Sequence, residues 1–312
     1  MTGAAPRGGR GSNQYRSRGV PKGAAGPARP GTPDQSGEID RAGLDEVLRR
    51  QLFAPPDSYL RSSHAGPVFT DLDLAGDPSL VAQVRRAEPR GVDRAIVRFR
   101  HRRSDLVYFD ARLEGTNVTL PEVVTLLEGR PVRGKTVETA QQVLDFNAAA
   151  ELATQIAARG PFQPTKQDLV VLHSALMRHD PVRQGRFRGD GPPGEDGPLV
   201  ALGPGGWYHS APNARMEAIL VDGLDRIGLV SHAVERAVAL AAFTTYHQFF
   251  LDGNKRVGRY AMNTMLMSAG FDAILVPASD QEAYEEALVD MYQTGQAKSY
   301  VDYLLELWLG SQ

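Results

Sequence analysis

The sequence contains no cysteine. That absence excludes disulfide bonds, thiol nucleophiles and cysteine-rich metal sites, and it is compatible with a reducing compartment. A strong charge of one sign is also absent, because the net charge is −2 at pH 7, so no overall field draws the chain towards nucleic acid. No apolar run approaches the length of a membrane span, and no apolar segment follows the arginines near the N-terminus, as a secretory signal would require. We therefore expect a cytoplasmic protein that does not enter a membrane.

Several common kinds of site are missing as well. His173 and His179 are six residues apart, which is not the spacing of a zinc-binding helix. Ser210 and Ser231 stand outside any nucleophile-elbow sequence. No Walker-type phosphate loop occurs. The chemistry of this chain must therefore be sought elsewhere.

Composition changes along the chain and predicts three regions. Residues 1–38 are rich in Gly, Pro, Ser and Arg, have little to bury, and predict a disordered basic tail. This tail is either a solvated segment or a basic arm that contacts nucleic acid or acidic partners. Residues 39–130 predict an N-terminal helical region and residues 131–312 a core domain, so the fold class is mainly α.

Local patterns predict where the helices begin and end. The spacing of apolar residues predicts helices over 41–53, 77–88 and 92–114. Thr119, with a glutamate three residues later, has the pattern of a capping box, and Thr165 and Ser231 are candidate helix N-caps. The segment 199–210, LVALGPGGWYHS, predicts a β-hairpin around a GPGG turn.

The chemistry is concentrated between two strongly helical segments, in the loop Leu251-Asp252-Gly253-Asn254. The free N–H groups at the start of the second helix and its dipole predict an anion site; the alternative is a glycine turn followed by basic residues on the protein surface. Lys255, Arg256 and Arg259 follow at once, and two guanidinium groups beside such amides suit a di- or triphosphate. Asp252 would repel phosphate unless a divalent cation lay between them, so it is a candidate Mg²⁺ ligand.

The segment QFFLDGNKRVGR, residues 248–259, resembles the signature HxFx[D/E]GN[G/K]RxxR of Fic (Fido) proteins. The matching residues are Phe250, Asp252, Gly253, Asn254, Lys255, Arg256 and Arg259. The resemblance implies a Fic (Fido) fold, a helical bundle with one β-hairpin flap. It also implies a transferase that moves AMP from ATP, with Mg²⁺, to a hydroxyl of a protein target docked at the hairpin 199–210. It gives Gly253, Asn254, Lys255, Arg256 and Arg259 nucleotide-binding roles.

The candidate catalytic positions depart from this pattern. Gln248 stands where the family has the histidine that deprotonates the target hydroxyl, and a carboxamide cannot act as that base. His247 is adjacent, but it would point away from the site on a regular helix. Lys255 replaces the usual glycine, as it does in the related death-on-curing toxins, which transfer a terminal phosphoryl group, so the attacked phosphorus stays open.

Upstream, the segment 110–129 resembles the inhibitory segment [S/T]xxxE[G/N] of self-restrained Fic proteins, in which the glutamate reaches the last arginine of the signature. Glu114 and Arg259 would be that pair, while Asp110 stands where Ser or Thr is usual. The alternative is a purely structural role, in which Glu114 only ends a helix before Gly115. Two functions follow: a slow or atypical Fic-type transferase, or a catalytically degenerate nucleotide-binding regulator or interaction module.

Overall fold

The computed structural model describes residues 77–192, 194–195, 197–203 and 206–312. The tail predicted for 1–38 and the helix predicted for 41–53 lie outside these residues. Within them, no helix is long and apolar enough to cross a bilayer. The described elements are the helices α1 Pro78–Val84, α2 Val92–His101, α3 Arg103–Leu113, α4 Leu120–Leu127, α5 Val137–Ala157, α6 Lys166–Leu176, α7 Met216–Gly228, α8 Ala233–His247, α9 Asn254–Ser268, α10 Gln281–Thr294 and α11 Lys298–Gly310, and the strands β1 Leu199–Ala201 and β2 Trp207–His209.

Two of the predicted helix starts are confirmed by their side-chain bonds. The carboxylate of Glu122 accepts from the N–H of Thr119 at 2.8 Å, which is half of a capping box at the start of α4. Thr165 caps α6, because its Oγ1 accepts from the N–H of Asp168 at 3.3 Å. Ser231 is not the cap of α8, since that helix begins one residue later, with His232 at the N-cap position and no side-chain cap bond.

The single helix predicted over 92–114 is wrong, because the chain bends at Arg102. The φ and ψ angles of Arg102 are −98° and 10°, and α2 and α3 lie on either side of it. The bend lets Phe99 in α2 and Leu106 in α3 both reach the core, with α2 against α9 and α3 against α5. Apolar spacing alone did not reveal this change of direction.

The core is organised around α9, which packs against α8, α5 and α6. Every side chain of α9 except Lys255 is buried, so this helix lies inside the protein on all its faces. Its contact with α8 is close at Gly258. A Cβ at Gly258 would lie 2.9 Å from the carbonyl oxygen of Ala241 and 2.9 Å from Oγ1 of Thr245. Glycine therefore permits the two helices to approach.

The β-hairpin predicted over 199–210 is confirmed. β1 and β2 pair antiparallel, with Leu199 opposite His209 and Ala201 opposite Trp207. Tyr208 points inward and is fully buried, with its ring centroid 4.9 Å from that of Tyr246 and 4.7 Å from that of Tyr292. These aromatic contacts fix the hairpin to α8 and α10. The described residues are thus mainly helical with one hairpin, as expected.

We predict that Gly258→Ala destabilises the protein by about 1–3 kcal/mol, because the added methyl group meets a backbone carbonyl that cannot move alone. The measurement is the free energy of unfolding in urea. Gly228→Ala is the matched control, since Gly228 ends α7 and a Cβ there meets no atom within 4 Å. The control should leave the protein as stable or about 0.5–1 kcal/mol more stable. Equal effects of the two substitutions would contradict the close approach at Gly258.

Candidate functional site

The loop between α8 and α9 is held in shape by the side chain of Asn254. Its Oδ1 accepts from the N–H of Phe250 at 2.8 Å, and its Nδ2 donates to the carbonyl of Phe250 at 2.7 Å. The N–H of Arg188 donates to the carbonyl of Phe249 at 2.9 Å, which ties the loop to a neighbouring segment. Gly253 has a φ of 77°, a conformation that glycine adopts without strain. The loop is therefore shaped before any ligand arrives.

The start of α9 offers free backbone donors. The N–H of Gly253 is used by Oδ1 of Asp252 at 2.6 Å. The N–H groups of Asn254, Lys255 and Arg256 bond to no acceptor among the described residues. Together with the partial positive charge of the helix end, these three donors form the anion-binding arrangement that the sequence predicts.

Arg256 adds a buried guanidinium to these donors. Its side chain is 3% exposed. Nη2 donates to Oδ1 of Asp252 at 3.1 Å, and Nε lies 3.3 Å from Oε2 of Glu114. Nε and Nη1 have no hydrogen-bond acceptor in the part of the chain that is described. A buried cation with unused donors is costly unless an anion satisfies them.

A pocket of about 300 Å³ opens over these groups. The hairpin strand β1 forms one wall, and Glu114 and Tyr292 form another. Arg256 lines the pocket, whereas Arg259 does not. The lining residues are Glu114, 198–201, Gln248, 251–256 and Tyr292. The structure thus brings the hairpin, the candidate inhibitory residue and the signature loop to one cavity.

Arg259, the predicted second phosphate ligand, is held by the protein itself. Its Nε donates to Oδ1 of Asp110 at 2.8 Å, and Nη1 donates to the hydroxyl of Tyr284 at 2.9 Å. Nη2 donates to Oε1 of Glu114 at 3.4 Å. Both Arg259 and Asp110 are buried, and burial raises the pKa of Asp110 although the guanidinium opposes that shift.

Glu114 therefore lies between the two arginines, within reach of both Arg256 and Arg259. The pairing with Arg259 is the one that the resemblance implies, and the inhibitory role of Glu114 stays a prediction. Asp110 entered the sequence analysis only as a departure from the inhibitory pattern. The carboxylate at that position was an unusual feature of the sequence, but it did not identify Arg259 as its partner.

Gln248 lines the pocket, but its carboxamide is fully engaged. Nε2 donates to the carbonyl of Thr245 at 2.6 Å and to the hydroxyl of Tyr292 at 2.9 Å. Oε1 accepts from Nδ2 of Asn254 at 2.9 Å. Gln248 also has a φ of 54°, and its carbonyl accepts from Nη1 of Arg188 at 2.5 Å. It is the one non-glycine residue with positive φ in the described part of the chain, which marks a constrained site.

His247 faces away from the pocket into an aromatic cluster. Its side chain lies among Phe243, Tyr246 and Phe249. Neither ring nitrogen has a hydrogen-bond partner among the described residues, and burial lowers the pKa of His247 to about 3. His247 is thus a neutral core side chain in this structure. It points away from the signature loop, as expected for a regular helix.

Two supporting residues of the loop were missed by the sequence analysis. His173 accepts the N–H of Gly185 at Nδ1, so Nε2 carries the proton and donates to the carbonyl of Asp252 at 3.1 Å. Burial lowers the pKa of His173 to about 4, which keeps this donor arrangement at neutral pH. Arg188 is buried and donates to the carbonyls of Gln248 and Ala211, which joins the loop to the end of the hairpin. These bonds connect distant segments, and no local pattern announces them.

The two charged residues at the mouth of the pocket are less constrained. The side chain of Asp252 is 47% exposed. Burial would raise its pKa, but Arg256 and the N–H of Gly253 hold that pKa below the ordinary value, so the carboxylate is ionised at neutral pH. Its Oδ2 lies 3.9 Å from Nη1 of Arg183. Lys255 is partly buried and lines the pocket.

Comparison with known proteins gives a family for this arrangement. The model of the Fic/DOC family matches residues 163–266. The chain carries a Fic/DOC family domain. That domain contains the hairpin, α8, the signature loop and most of α9, so the recognition made from residues 248–259 is confirmed.

Solved structures show the same fold at low sequence identity. Fic-1 (residues 134–508) of C. elegans superposes with a TM-score of 0.55 at 19% identity, covering 87% of this chain and 75% of that one. A Fic domain containing signaling protein of Bacteroides thetaiotaomicron gives 0.59 at 18% identity, covering 75% and 92%. The predicted fold class is therefore confirmed.

Curated relatives carry the name protein adenylyltransferase Fic. The protein of Drosophila erecta is 27% identical over 209 residues, which are 64% of this chain and 39% of that protein. The protein of Drosophila ananassae is 27% identical over 211 residues, with the same coverage. This chain thus spans about two fifths of the length of the curated relatives that it matches.

We predict that His247→Phe stabilises the protein at low pH and flattens its pH dependence. The pKa of His247 is about 3 when folded and about 6.5 when unfolded. As pH falls, the unfolded state therefore binds a proton at His247 before the folded state does. The free energy of unfolding of the wild-type protein is at its full value above about pH 6.5 and decreases below that pH. The loss is on the order of 1–2 kcal/mol by pH 5, measured by urea unfolding from pH 7 to pH 5. His101→Phe is the exposed-histidine control, and an unchanged slope in His247→Phe would contradict the buried neutral ring.

Proposed function

We propose that the pocket binds a nucleotide through its phosphates and that the protein is a Fic-type transferase moving AMP from the nucleotide to a protein hydroxyl. The observation that carries the proposal is Arg256, a buried guanidinium with unused donors beside three free backbone N–H groups. A phosphate chain satisfies such donors at once. Support for the transfer comes from the curated relatives, which are named protein adenylyltransferase.

The residues at the mouth of the pocket fit a nucleotide with Mg²⁺. No group of three or more His, Cys, Asp or Glu side chains in the described ranges can hold a metal ion. Mg²⁺ nevertheless commonly takes one carboxylate together with phosphate oxygens, and the ionised Asp252 at the mouth suits that role. There the ion would neutralise phosphate charge. Lys255 would approach the phosphates as a flexible point charge.

Glu114 would restrain the site. Its carboxylate occupies the space next to Arg256 and also reaches Arg259, so an incoming phosphate must compete with it for the same donors. The negative charges of the phosphate and of Glu114 would also repel each other at this distance. We infer that nucleotide binds well only when this carboxylate is displaced.

Transfer would be slow because Gln248 cannot act as a base towards the acceptor hydroxyl. In AMP transfer the acceptor oxygen attacks the α-phosphorus of ATP, the bond to the leaving pyrophosphate breaks, and the hydroxyl proton must pass to a base or to water. The carboxamide of Gln248 has no basic lone pair, and its donors are committed to Thr245 and Tyr292. Loss of a general base costs on the order of 10²–10⁴ in rate. With lysine at position 255, transfer of a phosphoryl group instead of AMP remains within this proposal.

The hairpin would dock the target protein. Each strand of a two-stranded sheet keeps one unpaired edge, which can bind an extended segment by main-chain hydrogen bonds. β1 also forms a wall of the pocket, so a segment added there would present its side chains near the phosphates. Leu199 and Trp207 are partly exposed on the hairpin and would contribute apolar contacts to the target.

A second candidate function is a nucleotide-binding regulator that does not turn over. The engaged carboxamide of Gln248 favours it, because that residue supports the loop and the hydroxyl of Tyr292 in place of reacting. In this case the phosphate site remains and the loop and hairpin transmit occupancy to a partner. Binding and turnover experiments separate the two functions.

We predict that the 312-residue chain binds ATP with Mg²⁺ and that Arg256→Ala weakens binding at least tenfold. A charge-assisted hydrogen bond contributes about 1.5–3 kcal/mol, which corresponds to roughly 10–100-fold in affinity. Isothermal titration calorimetry measures it in the Glu114→Gln background, where the competing charge is removed. Arg130→Ala, at an exposed arginine distant in sequence from the loop, is the control. Loss of binding in both variants, or in neither, would contradict the phosphate role of Arg256.

We predict that Glu114→Gln with Gln248→His transfers AMP about 10²–10⁴ times faster than Glu114→Gln alone, because histidine restores a general base. The measurement is intact-protein mass spectrometry after incubation with ATP and Mg²⁺, scored for adenylyl or phosphoryl adducts on the protein itself. Arg256→Ala added to the double variant should abolish the adduct. Nucleotide binding without any adduct in the double variant would favour the regulator.

A further inference from the structure

The buried pair of Asp110 and Arg259 sets what the pocket can recognise. Arg259 uses three of its five N–H groups within the protein, on Asp110, Tyr284 and Glu114. The bond to Asp110 is the shortest of the three at 2.8 Å, and both side chains are at most 3% exposed. Displacing Glu114 therefore leaves Arg259 still tied to a carboxylate and a phenol.

Separating Arg259 from Asp110 would leave a carboxylate buried without its cation, which is strongly unfavourable. The guanidinium is thus part of the packing between α3 and α9. It is also absent from the lining of the pocket, where Arg256 is present. The pocket consequently offers a phosphate chain one guanidinium, three backbone N–H groups and Lys255.

We propose that Asp110 withdraws Arg259 from ligand binding, so that the pocket recognises a two-phosphate group. Nucleoside diphosphates and their conjugates then bind with about the same affinity as triphosphates, because a third phosphate meets no further guanidinium. This inference rests on the proposed nucleotide site and concerns binding only. A serine or threonine at position 110, the residue usual in the resembled inhibitory segment, would leave Arg259 without this anchor.

The test compares ADP and ATP binding to the 312-residue chain at one saturating Mg²⁺ concentration, by calorimetry. In Glu114→Gln, where the competing carboxylate is gone and Asp110 is intact, we expect the two affinities to agree within about threefold. In Asp110→Ser/Glu114→Gln, the freed guanidinium should tighten ATP about tenfold or more relative to ADP. Asp105→Ser/Glu114→Gln is the matched control, since Asp105 lies on the same helix, and its ratio should stay near one.

Each outcome bears on a separate claim. ATP binding tenfold or more tighter than ADP in Glu114→Gln would overturn the inference while leaving the nucleotide site in place. A ratio that stays near one after Asp110→Ser in a folded protein would overturn the role of Asp110. Absence of binding by both nucleotides in every variant would overturn the proposed function itself. If Asp110→Ser does not fold, Asp110→Asn keeps the shape and removes the charge, and the ADP-to-ATP ratio in Glu114→Gln needs neither variant.

Discussion

Helix α9 is buried along its length apart from Lys255 and carries Arg256 and Arg259 in its first two turns, so the fold must accommodate two guanidinium groups in its interior. The two guanidinium groups differ in how many of their donors the protein satisfies. Arg259 is bound by Asp110, Tyr284 and Glu114, whereas Arg256 keeps unused donors beneath the signature loop. Arg259 therefore stabilises the packing, whereas Arg256, although it contacts Asp252 and Glu114, keeps buried donors that a further anion can satisfy. The location of the pocket follows from this difference.

The same loop shows how a substitution can change chemistry and preserve shape. A glutamine at position 248 fills the corner between α8 and α9 and bonds to the backbone of Thr245 and to the side chains of Asn254 and Tyr292. The left-handed backbone at Gln248 is held by Arg188. These bonds hold the free amides at the start of α9 in place, while a carboxamide offers no base for proton transfer. Under the proposed function, binding and catalysis would therefore be separable at this site.

Local features of the fold could be predicted, and long-range ones could not. The caps at Thr119 and Thr165 and the hairpin over 199–210 depend on residues a few positions apart, so composition and spacing reveal them. The bend at Arg102 lets α2 and α3 pack against different helices, and no side-chain cap marks the start of α8 at Ala233. At the site, the loop and its cations were predictable from 12 consecutive residues. The bond between Asp110 and Arg259 joins positions 149 residues apart, so it lay beyond single-sequence reasoning.

Glu114 and Asp110 occupy one turn of the same region and face the same arginine, yet their surroundings give them different capacities to move. Glu114 ends α3 at the edge of the pocket and is partly exposed, so water can replace the contacts it gives up. Asp110 lies one turn deeper and is buried, so its release would carry the full cost of an uncompensated charge. Glu114 can therefore move away from the arginines while Asp110 stays bound to Arg259. Under the proposed function, displacement of Glu114 would expose Arg256 without unfolding α3, and Asp110 would keep Arg259 in place.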